Sequence, residues 1–228
     1  MIDIRNILTL RYDPTIEIKS PISQIDIKQI ESRKGPIPSS EDLELELRTS
    51  IRKNITGLNL KKISLALSTG VDSNLILSLI RDEYPELDIK CISVSFDETS
   101  EANNAKKIAE SMGTDFYNVT VENPLKDLPL LISIIQEPRW NLYQYYFIEK
   151  SKQFSNVLFT GDGGDELFGG YTFRYNKFLS LLNHNHDWKQ RVRSYLDCHE
   201  RDWIPDQEKL FGETVRFDWH SIYSLLRK

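Results

Sequence analysis

Cysteine is scarce in this chain: only Cys91, inside an apolar run, and Cys198, inside a polar one, occur among 228 residues. Two distant thiols give neither a disulfide framework nor a paired metal-ligand spacing, and they point to a reducing, cytoplasmic setting. A basic excess is also missing. The 29 Lys and Arg residues stand against 34 Asp and Glu, for a net charge of -5, which argues against nucleic acid as the main partner because phosphate binding needs a positive field. No stretch approaches the roughly 20 apolar residues that a membrane span requires. The opening Met1-Ile2-Asp3-Ile4-Arg5 lacks the basic and apolar regions of an export signal, so neither membrane nor secretion is expected. Internal repeats and low-complexity tracts are absent as well.

What is there favours a packed domain. Apolar residues make up 39% and charged residues 28%, with ten Tyr, ten Phe and four Trp, a mixture too aromatic for a disordered chain. The length suits one α/β domain carrying a small appendage.

Ile4 to Arg11 and Thr15 to Lys19 alternate around Asp13-Pro14 and predict a short hairpin. The segment from Pro21 to Pro38 carries proline, glycine and mixed charge and reads as a connection, so residues 1–38 form an N-terminal appendage. A domain over 39–228 follows. Ser39-Ser40 before Glu41-Asp42 is a helix start, and Leu43, Leu47, Ile51 and Ile55 repeat at four-residue spacing until Gly57. Strands are expected at Ile63 to Leu67, Ile89 to Phe96, Phe116 to Val121 and Asn156 to Thr160. Between them lie helical patterns through Asn74 to Ile80, Ala102 to Met112, Leu125 to Ile135 and Asn141 to Phe154. Strands alternating with helices predict an α/β, doubly wound, mostly parallel sheet. The chain then looks helical from about residue 172, through Phe178 to Leu182 and Trp188 to Leu196.

Two strand ends carry residues that packing does not require. At the first, Leu67-Ser68-Thr69-Gly70-Val71-Asp72-Ser73 joins a strand directly to a helix, so that backbone N–H groups and hydroxyls converge as they do in phosphate sites. A carboxylate at that helix start makes sense if it holds magnesium, which in turn holds the phosphates. The second is Thr160-Gly161-Asp162-Gly163-Gly164-Asp165-Glu166-Leu167-Phe168-Gly169-Gly170-Tyr171, with five glycines and three carboxylates in twelve residues. Its backbone can approach a ligand closely while carboxylates serve as ligands or bases. Alone, each loop reads equally as a capped helix entry or a flexible turn; the pairing at two strand ends of one sheet favours a site.

The chain resembles the synthetase domain of asparagine synthetases, within the PP-loop ATP pyrophosphatases, over about Glu41 to Tyr175. Ser68 to Ser73 matches that family's Ser-Gly-Gly-x-Asp-Ser, and Thr160 to Tyr171 matches its Ser-Gly-Glu-Gly-x-Asp-Glu-x-Phe-Gly-Gly-Tyr. Ser93-Val94-Ser95-Phe96 is similar to the family's second strand, Glu101, Ala105, Ala109 and Gly113 to its next helix, and Gln136-Glu137-Pro138 to its Asp-Glu-Pro. The resemblance implies ATP as nucleotide and Mg2+ as metal. Ser68, Thr69, Gly70, Asp72 and Ser73 would wrap the pyrophosphate, and Asp72 with Asp165 would hold the metal. Backbone groups of Leu67, Val94, Thr160 and Gly161 would meet the adenosine. Asp162 stands where the family has a glutamate that deprotonates ammonia, and Glu137 would line the acceptor side. The implied reaction adenylates a carboxylate, aspartate foremost, releases pyrophosphate and amidates the product with ammonia.

Three departures accompany the match. Thr69 replaces a family glycine, and a β-branched residue at positive φ would cost on the order of 1–3 kcal/mol. Ile2 stands where glutamine-dependent members carry a nucleophilic cysteine on a separate glutaminase domain, so the expected amine source is free ammonia or a glutaminase partner. The family's catalytic lysine segment has no recognisable counterpart, and Lys209 reads better as a solvated surface residue. His184 and His186 lack further ligands and read as a polar loop. Trp140, Tyr143, Tyr145, Tyr146 and Phe147 fall at helical spacing, which favours packing, in the core or at a homodimer interface, over a ligand cage. Two alternatives stay open: adenylation of another carboxylate, and a non-catalytic ATP-binding regulator. Transfer-RNA thiolation is disfavoured by the acidic charge.

Overall fold

The computed structural model describes residues 38–96, 100–136, 143–182, 187–198 and 224. The expected N-terminal hairpin lies outside them. The described residues up to Gly163 belong to one compact unit, and those from Gly164 onward belong to a second.

The first unit opens on helix α1 (Ser40–Gly57). The Ser39 hydroxyl accepts from the Asp42 N–H at 3.2 Å while the Asp42 carboxylate accepts from the Ser39 N–H at 2.9 Å, a reciprocal cap that satisfies two donors the helix would otherwise orphan. Ile51 and Ile55 are buried, and Leu47 packs beside them. Strand β1 (Lys62–Ala66) follows, then helix α2 (Val71–Glu83), strand β2 (Asp88–Ser95), helix α3 (Ser100–Ser111) and strand β3 (Asp115–Thr120). Helices α4 (Pro124–Ile135) and α5 (Gln144–Ser151) lead to the short strand β4 (Leu158–Phe159).

All strand pairs are parallel, in the order β3-β2-β1-β4. Crossovers through α2 and α3 carry the chain from β1 to β3 in one direction, and the return to β4 places the last strand on the other side of β1. The sheet is therefore doubly wound, with the strand order reversing between β1 and β4. Consecutive burial of Ile63, Ser64 and Leu65 on β1 shows both faces covered, as a parallel sheet demands. Leu77 and Ile80 of α2, Ile89 and Cys91 of β2, and Ala105 and Ala109 of α3 complete the core. Two ion-pair groups brace it from outside. Glu83 receives both Arg52 donors at 2.6 Å, and Lys90 bridges Asp88 and Asp115 at 2.8 and 2.6 Å.

The described part of the second unit contains α6 (Gly164–Phe168), α7 (Thr172–Leu181) and α8 (Trp188–Cys198). The structure departs from the sequence expectations in places. Helix α6 forms within the glycine-rich run and β4 is two residues long instead of five, whereas α7 begins at Thr172, where the helical part was expected to start. The β4 pairing nonetheless extends backward, because the Ser64 N–H donates to the Val157 carbonyl at 2.9 Å.

Candidate active site

The reversal of strand order leaves a crevice beyond the carboxyl ends of β1 and β4, where open α/β sheets bind ligands. A cleft of about 580 Å³ opens there, lined by Leu67, Ser68, Gly70, Asp72 and Ser73 after β1 and by Thr160, Gly161 and Asp162 after β4. That volume lies in the range of small-molecule sites. The two loops singled out in the sequence thus meet in one place, up to Asp162. Val94, another expected nucleotide neighbour, lines the same cleft from β2.

Ser73 organises the first loop. Its buried hydroxyl accepts from the Ser68 N–H at 3.2 Å and lies 3.1 Å from the Ser68 hydroxyl. The Ser68 hydroxyl in turn accepts from the Gly70 N–H at 3.1 Å. Asn74 closes the turn by donating to the carbonyls of Ser68 at 3.1 Å and Gly70 at 2.6 Å. Thr69 carries no backbone strain: among described residues other than glycine, positive φ occurs at Asn59 and Gln136 alone. Its hydroxyl donates to the Glu101 carboxylate at 3.3 Å, which ties the loop to the start of α3.

The second loop comes in against the first turn of α2. A Cβ on Gly161 would stand 2.9 Å from the Asp72 carbonyl carbon and 3.0 Å from its Cβ, so glycine is needed for this approach. The Asp162 N–H donates to the Thr160 hydroxyl at 3.3 Å, and the Asp162 side chain is exposed. In the second unit, Asp165 lies in the first turn of α6, and its carbonyl accepts from the Gly170 N–H at 2.9 Å. Gly170 leaves room for the Asp165 carboxylate, with which any Cβ there would collide. Glu137, Trp140, His184, His186 and Lys209 lie outside the described residues.

Charge in the cleft is one-sided: Asp72, Glu101 and Asp162 line it, and among the described residues no Lys or Arg does. A polyphosphate entering such a site needs a cation beside the loop N–H groups. Among the described residues no group of three metal-binding side chains occurs. Magnesium does not demand one, since one or two carboxylates plus substrate phosphates suffice, and Asp72 at the loop fits that use. Sequence reasoning passed over Phe96, Glu101, Tyr143 and Phe147 as cleft residues. Helical spacing had assigned Tyr143 and Phe147 to packing; Phe147 is indeed buried, yet both rings face the cleft wall.

A parallel, doubly wound sheet with a hydroxyl-rich turn and a glycine–aspartate turn flanking its switch point defines a PP-loop type of α/β domain. The chain belongs to the asparagine synthase family, whose sequence model matches residues 45–223. It is 30% identical over 156 residues to the glutamine-hydrolysing asparagine synthetase 1 of Bacillus subtilis strain 168, an alignment covering 64% of this chain and 24% of that protein. The matched region thus spans about a quarter of that relative's length. Among solved structures, an NH3-dependent NAD synthetase from Campylobacter jejuni aligns over 82% of this chain and 93% of its own, with TM-score 0.39 and 11% identity. Among the described residues no helix is long and apolar enough to cross a membrane.

Proposed function

We propose that the chain is an ATP-dependent amide-forming synthetase that adenylates a carboxylate, aspartate foremost, and passes the acyl group to ammonia. The observation that carries this reading is the meeting of the Ser68–Ser73 and Thr160–Asp162 turns in one cleft at the strand-order reversal. The family match and the Bacillus relative support it.

In this mechanism the Ser68, Thr69 and Gly70 backbone and the Ser68 hydroxyl hold the pyrophosphate portion of ATP, with Ser73 keeping the turn in shape. The strand ends at Leu67, Val94, Thr160 and Gly161 border the adenosine. A carboxylate oxygen of the acceptor attacks the α-phosphorus, the bond to the bridging oxygen breaks, and pyrophosphate leaves. Ammonia then attacks the acyl carbon, Asp162 takes the proton it sheds, and AMP departs. Glu137 is assigned to the acceptor side. Asp72 and Asp165 are the ligands proposed for magnesium, which when bound offsets the charge growing on the departing pyrophosphate. Loop donors act in the same sense, each contribution being worth roughly 3 kcal/mol in sites of this kind. The amine is supplied as free ammonia or by a glutaminase partner.

A second reading, a nucleotide-binding regulator without turnover, is favoured by one observation: the described cleft lining offers no cationic side chain to the transition state. Pyrophosphate release from ATP with magnesium, measured across a panel of amino acids with and without ammonium, separates the two. Release that requires aspartate and is lost in Asp72→Ala supports the synthetase. ATP binding without release on any acid supports the regulator.

A further inference from the structure

The cleft has two chemically distinct ends. At β1 and β4 it presents hydroxyls, backbone N–H groups and carboxylates; at the end of β2 and the start of α5 it presents Ile92, Val94, Phe96, Tyr143 and Phe147. We propose that Tyr143, braced by Phe147, is the platform on which the nucleotide base stacks, so that it fixes affinity for a nucleoside triphosphate without touching the phosphates. This inference rests on the ATP reading above.

Tyr143 immediately precedes α5, and its ring meets that of Phe147 at 6.2 Å and 62°, the edge-to-face arrangement that aromatic pairs prefer. Phe147, within α5, is 8% exposed, whereas Tyr143 is 39% exposed and stands at the cleft wall. The ring is thus held from one side and open on another. Phe96 is the other exposed aromatic ring of the cleft, but among the described residues no aromatic partner braces it; Tyr117, Phe154 and Tyr146 are already engaged. Tyr117 stacks on Phe154 at 4.4 Å with the Lys150 ammonium 5.3 Å above each ring, and the Tyr146 hydroxyl donates to Asp127 at 3.0 Å. None of these three rings lines the cleft. Among the described residues Tyr143 has neither a cation over its ring nor a hydrogen-bond partner for its hydroxyl, and a flat neutral π-system is what its open side would accept. Stacking tolerates every base because each has a π-face, so Tyr143 supplies affinity and leaves base choice to the strand-end backbone.

The test measures calorimetric affinities of the full chain for ATP and for inorganic pyrophosphate, both with magnesium, in the wild type, Tyr143→Ala and Tyr143→Phe. Loss of a stacked base predicts about tenfold or greater weakening of ATP in Tyr143→Ala, unchanged pyrophosphate affinity, and near wild-type behaviour in Tyr143→Phe. Equal loss of both ligands in Tyr143→Ala would overturn the proposal, because it would mean that the loop itself had been disturbed. Unchanged ATP affinity in Tyr143→Ala, or a Tyr143→Phe variant as weak as alanine, would overturn it too while leaving the ATP reading intact. Wild type that binds neither ligand would sink the nucleotide reading and this inference with it.

Discussion

Gly161 approaches Ser73 so closely that a Cβ added to the glycine would stand 2.6 Å from the Ser73 backbone nitrogen. The turn after β4 is therefore seated directly on the first turn of α2, and the phosphate-loop geometry depends on two segments nearly ninety residues apart in sequence. An alanine cannot be accommodated by rotating a side chain, since the obstacle is backbone. Gly161→Ala is expected to keep the far-ultraviolet circular dichroism of the wild type but to weaken ATP binding by about tenfold or more, measured by calorimetry, as expected for sites misplaced by about 1 Å.

Thr69 offers a second check. Its φ is not positive and its hydroxyl bonds to Glu101, so the family's glycine would relieve no strain. Thr69→Gly is expected to destabilise the protein by about 0.5–1 kcal/mol through the added freedom of the unfolded chain. Urea denaturation reads this out; a gain in stability would show that the loop is strained after all.

The clasp between α1 and α2 sets a pH dependence. Hydrogen bonds from Arg52, with Arg48 beside it, hold the Glu83 carboxyl below its ordinary value of 4.5. A carboxyl lowered by folding contributes stability above that ordinary value, and the contribution is lost as pH falls through the lower folded value. Glu83→Gln should therefore melt a few degrees below wild type at pH 7, with the gap closing below about pH 4. A gap that persists unchanged into acid would assign the loss to packing.

Burial pushes the Cys91 thiol up to about 11, with the Thr114 hydroxyl partly opposing it. At pH 8 the folded protein holds almost no thiolate there, and the side chain is fully enclosed. Iodoacetamide followed by peptide mass mapping is expected to leave Cys91 unmodified until denaturant unfolds the chain; rapid native labelling would contradict the enclosed core.

Much of the first unit was legible because local signals agreed with tertiary ones. The Ser39–Asp42 cap, the four-residue apolar spacing of α1 and the short, mainly apolar run of β1 each announced an element that exists. The two loops were legible because glycine, hydroxyl and carboxylate together serve no packing purpose at a strand end. Helix α6 was hidden, since glycine and aspartate disfavour helix in isolation and only its surroundings make that turn. Periodicity placed Tyr143 and Phe147 near a helix but carried no information on which ring faces a ligand. Glu101 was equally silent: its link to Thr69 spans 32 residues.

Attack of the acceptor carboxylate on the α-phosphorus is the central step of the proposed reaction. With aspartate labelled by ¹⁸O in its side-chain carboxylate, plus ATP, magnesium and ammonium, the account predicts one labelled oxygen in the AMP phosphate and asparagine formed alongside. Label in inorganic phosphate with ADP as the partner product, or turnover with no label in AMP, would contradict it.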